Sequence, residues 1–359
     1  MIDSKIIPDK QNIPLPTDSE RDFYKGRTVL VTGAGGSVGG VLTRKLSEMA
    51  CRRIVLFDIC ENTTYELYLE LMSAYPDTEF YIEIGSVRDT ARLCALFERY
   101  RPEIVFHAAA HKHVSLMEKN CAEALKNNCI GTLNVARTSE RYGCLRFVLI
   151  STDKAVRPTG VMGASKRVCE MLLLKREKTA TEFCAVRFGN VFGSSGSVVP
   201  IFKKQLSKGG PLTVTDKRIV RYFITLEDAA SLLLCAGAMA KHGELYVLDM
   251  GKPHKIYDIA KRMAELHKEE TGIEVDIVET GLRPGEKLYE EYLLEDMASY
   301  ERTANDLIFV EKASDTAGMS PELIEKKLLE TLADEACESD GALVKRTLAE
   351  IIPDYTPYL

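Results

Sequence analysis

The chain has no apolar run long enough to cross a bilayer. Its longest, 229–240, suits a buried helix instead. Nor has it a Cys-x-x-Cys pair. The ten cysteines are scattered away from the histidines, which excludes the usual zinc spacings and points to free thiols in a reducing cytoplasm, with no metal expected. Positive charge is not in excess: 47 Lys and Arg against 53 Asp and Glu give a net charge of -6. That balance excludes a general attraction for nucleic acid and leaves room only for a local phosphate pocket. Residues 1–16 carry charges and prolines without an apolar centre, so neither a signal peptide nor a membrane span is expected.

What is present is the composition of a soluble globular enzyme, 45% hydrophobic and 28% charged over 359 residues, long enough for two interlocked domains. Residues 1–25 lack periodicity and read as an extended N-terminal arm. Thr28–Thr32 reads as a strand running into a glycine-rich turn, after which Val41, Leu42, Leu46 and Met49 recur at helical spacing. Short strands at 53–57, 79–84, 104–107 and 147–151 alternate with helical segments. This alternation predicts an α/β fold, a Rossmann-like doubly wound parallel sheet with a smaller C-terminal α/β substrate-binding domain. The expected division is 26–190 plus about 222–252 for the dinucleotide domain. About 191–221 plus 253–359 are expected to form the substrate domain, with strands at 244–250 and 273–279 and C-terminal helices around a polar tip near 338–341.

The glycine turn has the context that a dinucleotide site requires. Gly33, Gly36 and Gly39 allow the tight turn, the approach of backbone to pyrophosphate and close helix packing, and the helix that starts at Ser37 and Val38 presents free N–H groups to an anion. Asp58 ends the next strand about twenty residues on, without an arginine after it, which favours NAD over NADP. Ser86 and Val87 follow the third strand and are expected near the adenine. Ala108 and Ala109 offer small residues where backbone passes the cofactor. His107 reads as a packed structural residue.

The chemistry is narrowed by a missing tyrosine. The chain reads Ser151-Thr152-Asp153-Lys154, then Met162-Gly163-Ala164-Ser165-Lys166, with methionine where the dehydrogenase pattern Tyr-x-x-x-Lys has tyrosine. A thioether takes up no proton in water, so acid-base work falls to other groups, and Thr152, Asp153 and Lys154 stand nearby. Lys166, four residues after Met162, shares its helical face and is expected at the nicotinamide ribose.

From Gly26 to Glu291 these residues resemble the extended short-chain dehydrogenase/reductases, and among them the nucleotide-sugar 4,6-dehydratases of bacterial polysaccharide synthesis. The resemblance is carried by Thr32-Gly33-Ala34-Gly35-Gly36-Ser37, Ala108-Ala109-Ala110-His111-Lys112-His113-Val114, Ser151-Thr152-Asp153-Lys154-Ala155, Arg187-Phe188-Gly189-Asn190-Val191, Gly193-Ser194-Ser195-Gly196-Ser197-Val198, Arg221-Tyr222-Phe223 and Gly281-Leu282-Arg283-Pro284-Gly285-Glu286-Lys287. Met162 is similar to the branch that acts on UDP-N-acetylglucosamine and retains the C5 configuration. The chain departs from that branch in showing no membrane-spanning portion, in Ser86 for an aspartate, in Ser115 for a common proline and in Gly160 for a frequent asparagine.

The resemblance implies a reaction in three parts: C4 oxidation by NAD, loss of water across C5 and C6, and hydride return to C6. It implies Lys154 as the C5 base and Asp153 as the acid at C6, with the lysine's pKa lowered and the aspartate's raised by the closed pocket, and Thr152 at the C4 hydroxyl. Arg221 and Arg283 suit a diphosphate, with Asn190, Val198, Lys203, Glu286, Lys112 and His113 as further substrate contacts. It also implies a homodimer or higher homo-oligomer paired through helices at 118–141 and 164–176. An NDP-sugar 4-epimerase and a silent NAD-binding scaffold are the competing readings.

Overall fold

The computed structural model describes residues 16–291, 297–312, 318–339 and 341–357. Strand β1 (Thr28–Thr32) is wholly buried and lies between β2 (Arg53–Asp58) and β4 (Ile104–His107). With β3 (Glu79–Ile84), β5 (Arg146–Ile150), β6 (Glu182–Arg187) and β10 (Leu245–Leu248) these form a parallel sheet with helices on both faces. The strand order reverses at β1, and the glycine turn therefore opens into the crevice beyond its carboxyl end, where open α/β sheets bind ligands. The fold is thus the expected α/β, doubly wound one.

The smaller part is built from short pairings. β7 (Asn190–Val191) and β11 (Pro253–Lys255) flank β9 (Val220–Ile224), and β8 (Leu212–Val214) pairs with β12 (Ile277–Glu279). Phe192, Val199, Phe202, Ile259 and Met263 give it a core of its own. The run 229–240 lies in the helix Leu226–Met239, buried against the helix Ser37–Ser47. Among the described residues no helix is long and apolar enough to cross a membrane.

Three expectations are corrected. Residues 18–24 of the supposed arm form a helix, because Thr17 and Glu20 make a reciprocal capping box, and Tyr24 is fully buried with its hydroxyl donating to Leu234 O at 2.7 Å. Residues 1–15 lie outside the described residues. The C-terminal region does not all join the substrate part: β13 (Tyr300–Arg302) and β14 (Ile308–Glu311) extend the large sheet antiparallel to β10, with Ile308 buried. The helices Pro321–Ala333 and Gly341–Ile351 bury Ile324, Leu328, Val344, Leu348 and Ile351 in the same core as Val168 and Leu172 of the helix Val161–Leu174.

That last packing occupies the face expected to meet a second copy. Arg137 pairs bidentately with Glu325 at 2.6 and 2.5 Å, and Lys345 pairs with the nearly buried Glu118 at 3.0 Å, so the chain supplies its own two helices to this bundle.

Candidate active site

The glycine turn forms a cradle shaped by absent side chains. A Cβ on Gly39 would stand 2.1 Å from Gly33 O, and one on Gly33, whose φ is +69°, would stand 2.7 Å from Ala109 N. Gly36 is less confined, its Cβ position 3.2 Å from Gly33 O. Gly36 is also the N-cap of the helix Ser37–Ser47 and offers no capping side chain, which leaves that helix's first N–H groups for an anion. Ser37 Oγ accepts from Ser195 N at 3.0 Å, tying the turn to the Gly193–Ser197 loop, and Val38 packs partly buried against the core. Asp58 accepts from Gly35 N at 2.9 Å and Cys60 N at 2.8 Å, one bond on each oxygen, so each retains a lone pair. These features fit a dinucleotide with pyrophosphate at the helix start and a ribose at Asp58.

On the neighbouring strand ends, Ala108 N donates to Thr32 O at 3.0 Å and Ala109 N to Thr32 Oγ1 at 3.4 Å. Ser86 Oγ accepts from Arg88 N, and Val87 is buried against Gly131. His107 is buried between Thr32 and Thr132, at 2.7 and 2.9 Å, and burial pushes its pKa down to about 3. It is neutral and structural. Lys166 is 5% exposed, and burial holds its ammonium below the ordinary lysine value. It makes no hydrogen bond or ion pair with any described residue.

Beyond β5 the chain turns through Asp153–Ala155, capped by Thr152. Thr152 Oγ1 donates to Asp153 Oδ1 at 2.8 Å, and Lys154 Nζ reaches Asp153 Oδ1 at 3.1 Å, Asn190 Oδ1 at 3.2 Å and Glu290 Oε1 at 2.6 Å. Burial opposes the charge on Lys154, but Asp153 and Glu290 outweigh it and hold the ammonium above an ordinary lysine. Burial likewise opposes ionisation of Asp153, yet Lys154 and the surrounding hydrogen bonds hold its carboxyl below the usual range. Both directions are opposite to those expected, because the two charges neutralise one another in contact. The raised acid is Glu290, pushed up to about 7 by burial and by the charge of Asp153, against Lys154 and Arg221.

The turn forms one wall of a cleft enclosing about 930 Å³ with its open mouth. Lys154, Lys112, His113, Asn190, Arg221, Arg283, Glu286 and Glu290 all line it. Asp153 is 2% exposed behind Lys154, and Thr152 is half-buried. Val198 and Lys203 lie on the helix Val198–Leu206 and do not line the cleft. The N–H groups of Arg221 are engaged: they donate to the carbonyls of Val220, Lys287 and Leu288, and Nε lies 3.1 Å from Glu290 Oε1. Arg221 therefore clamps the loop of residues 283–290 over the cleft, while Arg283 is exposed on its wall. Met162 is 3% exposed, within the core rather than the cleft.

Two groups escaped sequence reasoning. Glu290 stands in a run of charged residues, Glu286-Lys287-Leu288-Tyr289-Glu290-Glu291, and nothing local marks it as buried. Glu170, 0% exposed, accepts from Ser151 Oγ at 2.6 Å, Arg187 Nε at 2.8 Å and Nη2 at 2.6 Å, and Arg167 at 3.1 Å. It fastens the end of β5, and with it the Thr152–Lys154 turn, to the helix Val161–Leu174. A glutamate on the apolar face of a helix pattern was the available signal.

Fold and cradle together define an extended short-chain dehydrogenase/reductase. Residues 29–312 match the model of a polysaccharide biosynthesis protein family, and the chain belongs to that family. It is 49% identical over 286 residues to the probable polysaccharide biosynthesis protein EpsC of Bacillus subtilis, covering 79% of this chain and 48% of that one. The chain thus spans about half the length of that relative. It is 32% identical over 306 residues to the UDP-N-acetylglucosamine 4,6-dehydratase (inverting) of Campylobacter jejuni, covering 82% and 87%. Among solved structures, Pen from Bacillus thuringiensis matches with a TM-score of 0.74 at 30% identity, covering 86% and 98%.

Proposed function

We propose that this chain is an NAD-dependent NDP-sugar 4,6-dehydratase that converts UDP-N-acetylglucosamine to UDP-4-keto-6-deoxy-N-acetylhexosamine with retention at C5. The observation that carries the reading is the Asp153–Lys154 pair at the cleft wall, braced by Asn190 and Glu290, with buried Met162 in place of a tyrosine. A 4-epimerase oxidises and reduces C4 alone and has no use for an acid and a base aimed at C5 and C6. Relatives at 32% identity are named both as UDP-N-acetylglucosamine 4,6-dehydratase and as UDP-glucose 4-epimerase, so the choice rests on the site.

In this reading the glycine turn, Ser37, Val38 and Asp58 hold NAD, with Ser86, Val87, Ala108 and Ala109 along it and Lys166 at the nicotinamide ribose. Bound there, NAD supplies the hydride acceptor for C4 and the donor for C6. Arg283, Lys112 and His113 hold the diphosphate end of the sugar nucleotide in the cleft, and Asn190 and Glu286 position it. Thr152 contacts the C4 hydroxyl. Once C4 is a ketone the C5 proton is acidic, and Lys154 removes it as a free amine, the form it reaches when substrate displaces it from the carboxylates. Asp153, protonated, gives its proton to the departing C6 hydroxyl, which leaves as water.

Mass spectrometry of the sugar nucleotide after incubation with NAD-loaded protein tests this. A product lighter by one water is expected. A product of unchanged mass with C4 inverted would establish the epimerase, and recovery of untouched substrate with bound NAD would favour the scaffold.

A further inference from the structure

The site lacks the tyrosine that would take the C4 hydroxyl proton, with Met162 at its position in the sequence. Asp153 Oδ2 is buried without a hydrogen-bond donor, and Lys154 Nζ joins the two carboxyls, 3.1 Å from Asp153 Oδ1 and 2.6 Å from Glu290 Oε1, close enough for each to act on the other's proton. Two buried carboxylates this close repel one another, so a proton that reaches either is held by the pair. The Thr152 hydroxyl donates to the other oxygen of Asp153, Oδ1, at 2.8 Å. Glu290 is held at the cleft by Asn190 Nδ2 at 2.6 Å, Lys154 Nζ at 2.6 Å and Arg221 Nε at 3.1 Å, with its side chain 3% exposed.

We propose that Glu290 is the proton-storing partner of Asp153, so that the carboxyl pair replaces the absent tyrosine. The inference rests on the dehydratase reading. The C4 O–H bond breaks as its proton passes to Thr152 Oγ1, and Thr152 gives its own hydroxyl proton to Asp153 Oδ1. The Asp153–Glu290 pair then holds one proton more and one negative charge fewer. When C6–O breaks, Asp153 returns that proton to the leaving hydroxyl, the pair regains its charge, and water departs. The same proton thus serves both steps without exchange with solvent at the pair. Glu290 lines the cleft, but in this scheme it acts on the proton held by Asp153 and not on the sugar, which makes it a positioning residue rather than a catalytic one.

The test uses NAD-loaded protein as wild type, Glu290→Gln and Glu290→Asp, each first shown to melt cooperatively. Infrared difference spectra between wild type and Glu290→Gln follow the C=O stretch of a protonated carboxyl, a readout that needs no turnover. A band titrating near pH 7 in the wild type and missing from the Gln variant is expected. The pair accepts a proton only when it is not already protonated, so wild-type kcat rises with pH through that region. In Glu290→Gln kcat falls about 10²-fold and this rise disappears, while Glu290→Asp restores it. A wild type without the band overturns the proposal, as does a Gln variant that keeps the wild-type pH profile. If the wild type turns over no nucleotide sugar, the dehydratase reading has failed, and the infrared titration still decides whether the carboxyl pair shares a proton.

Discussion

Lys154→Ala and Asp153→Asn each lower kcat by about 10²–10⁴-fold, the range in which a positioned acid or base contributes, while binding of NAD and of the sugar nucleotide persists. The reason lies in the division of the site. The glycine turn and Asp58 belong to a separate stretch of the chain, and Arg283 and His113 line the cleft without an ion pair or hydrogen bond to Asp153 or Lys154, so neither change takes away a group assigned to binding. Asn at 153 keeps the shape that Thr152 contacts but cannot be recharged with a proton. Ala at 154 removes the base and leaves Asp153 and Glu290 facing each other without their cation, which favours the protonated pair. The two residues act on one elimination, so the double variant falls by much less than the product of the single losses. Steady-state turnover and calorimetric titration of both ligands measure this. Full turnover in Asp153→Asn would remove the acid assignment, and full turnover in Lys154→Ala the base.

Glu170→Gln destabilises the fold by roughly 3–5 kcal/mol, since it leaves Arg187 buried with only the partly exposed Glu311 to offset its charge. Burial opposes ionisation of Glu170, yet Arg187 and then Arg167 and Ser151 hold its pKa down to about 2 from the ordinary 4.5. A carboxyl depressed on folding contributes stability above its unfolded value and loses it as pH falls through the folded one. Wild-type stability contributed by this group is therefore complete above pH 4.5 and lost toward pH 2, and the Gln variant lacks that part of the acid dependence. Urea unfolding at neutral and acidic pH reads both effects. Equal midpoints for the two proteins at neutral pH would show that the network carries no net stability.

The parts legible in sequence are those whose physics is local. A strand, three glycines, a helix start and an aspartate twenty residues on describe one contiguous unit, and the structure folds it as that unit. Met162 and the Thr152–Lys154 turn were visible because their order along the chain is the pattern. Glu290 was not, because it reaches Asp153 only when Arg221 pins the carbonyls of Lys287 and Leu288 and folds the loop back over the cleft. The pKa directions at 153 and 154 are not legible for the same reason: burial alone pushes them one way, while the contact of the two charges, with Glu290 and Arg221 brought in from distant segments, decides them the other. The C-terminal helices show amphipathic periodicity, but periodicity does not say which core they cover. Their Ile and Leu stripe completes the helix face beside the Val161–Leu174 helix.

Proton NMR of the sugar after incubation of NAD-loaded protein with UDP-N-acetylglucosamine in heavy water tests the dehydratase reading most directly. The account predicts a new C6 methyl signal, deuterium at C5, and a C5 coupling pattern of the retained configuration. A product that keeps its C6 hydroxyl and a protonated C5, with only C4 inverted, would contradict it.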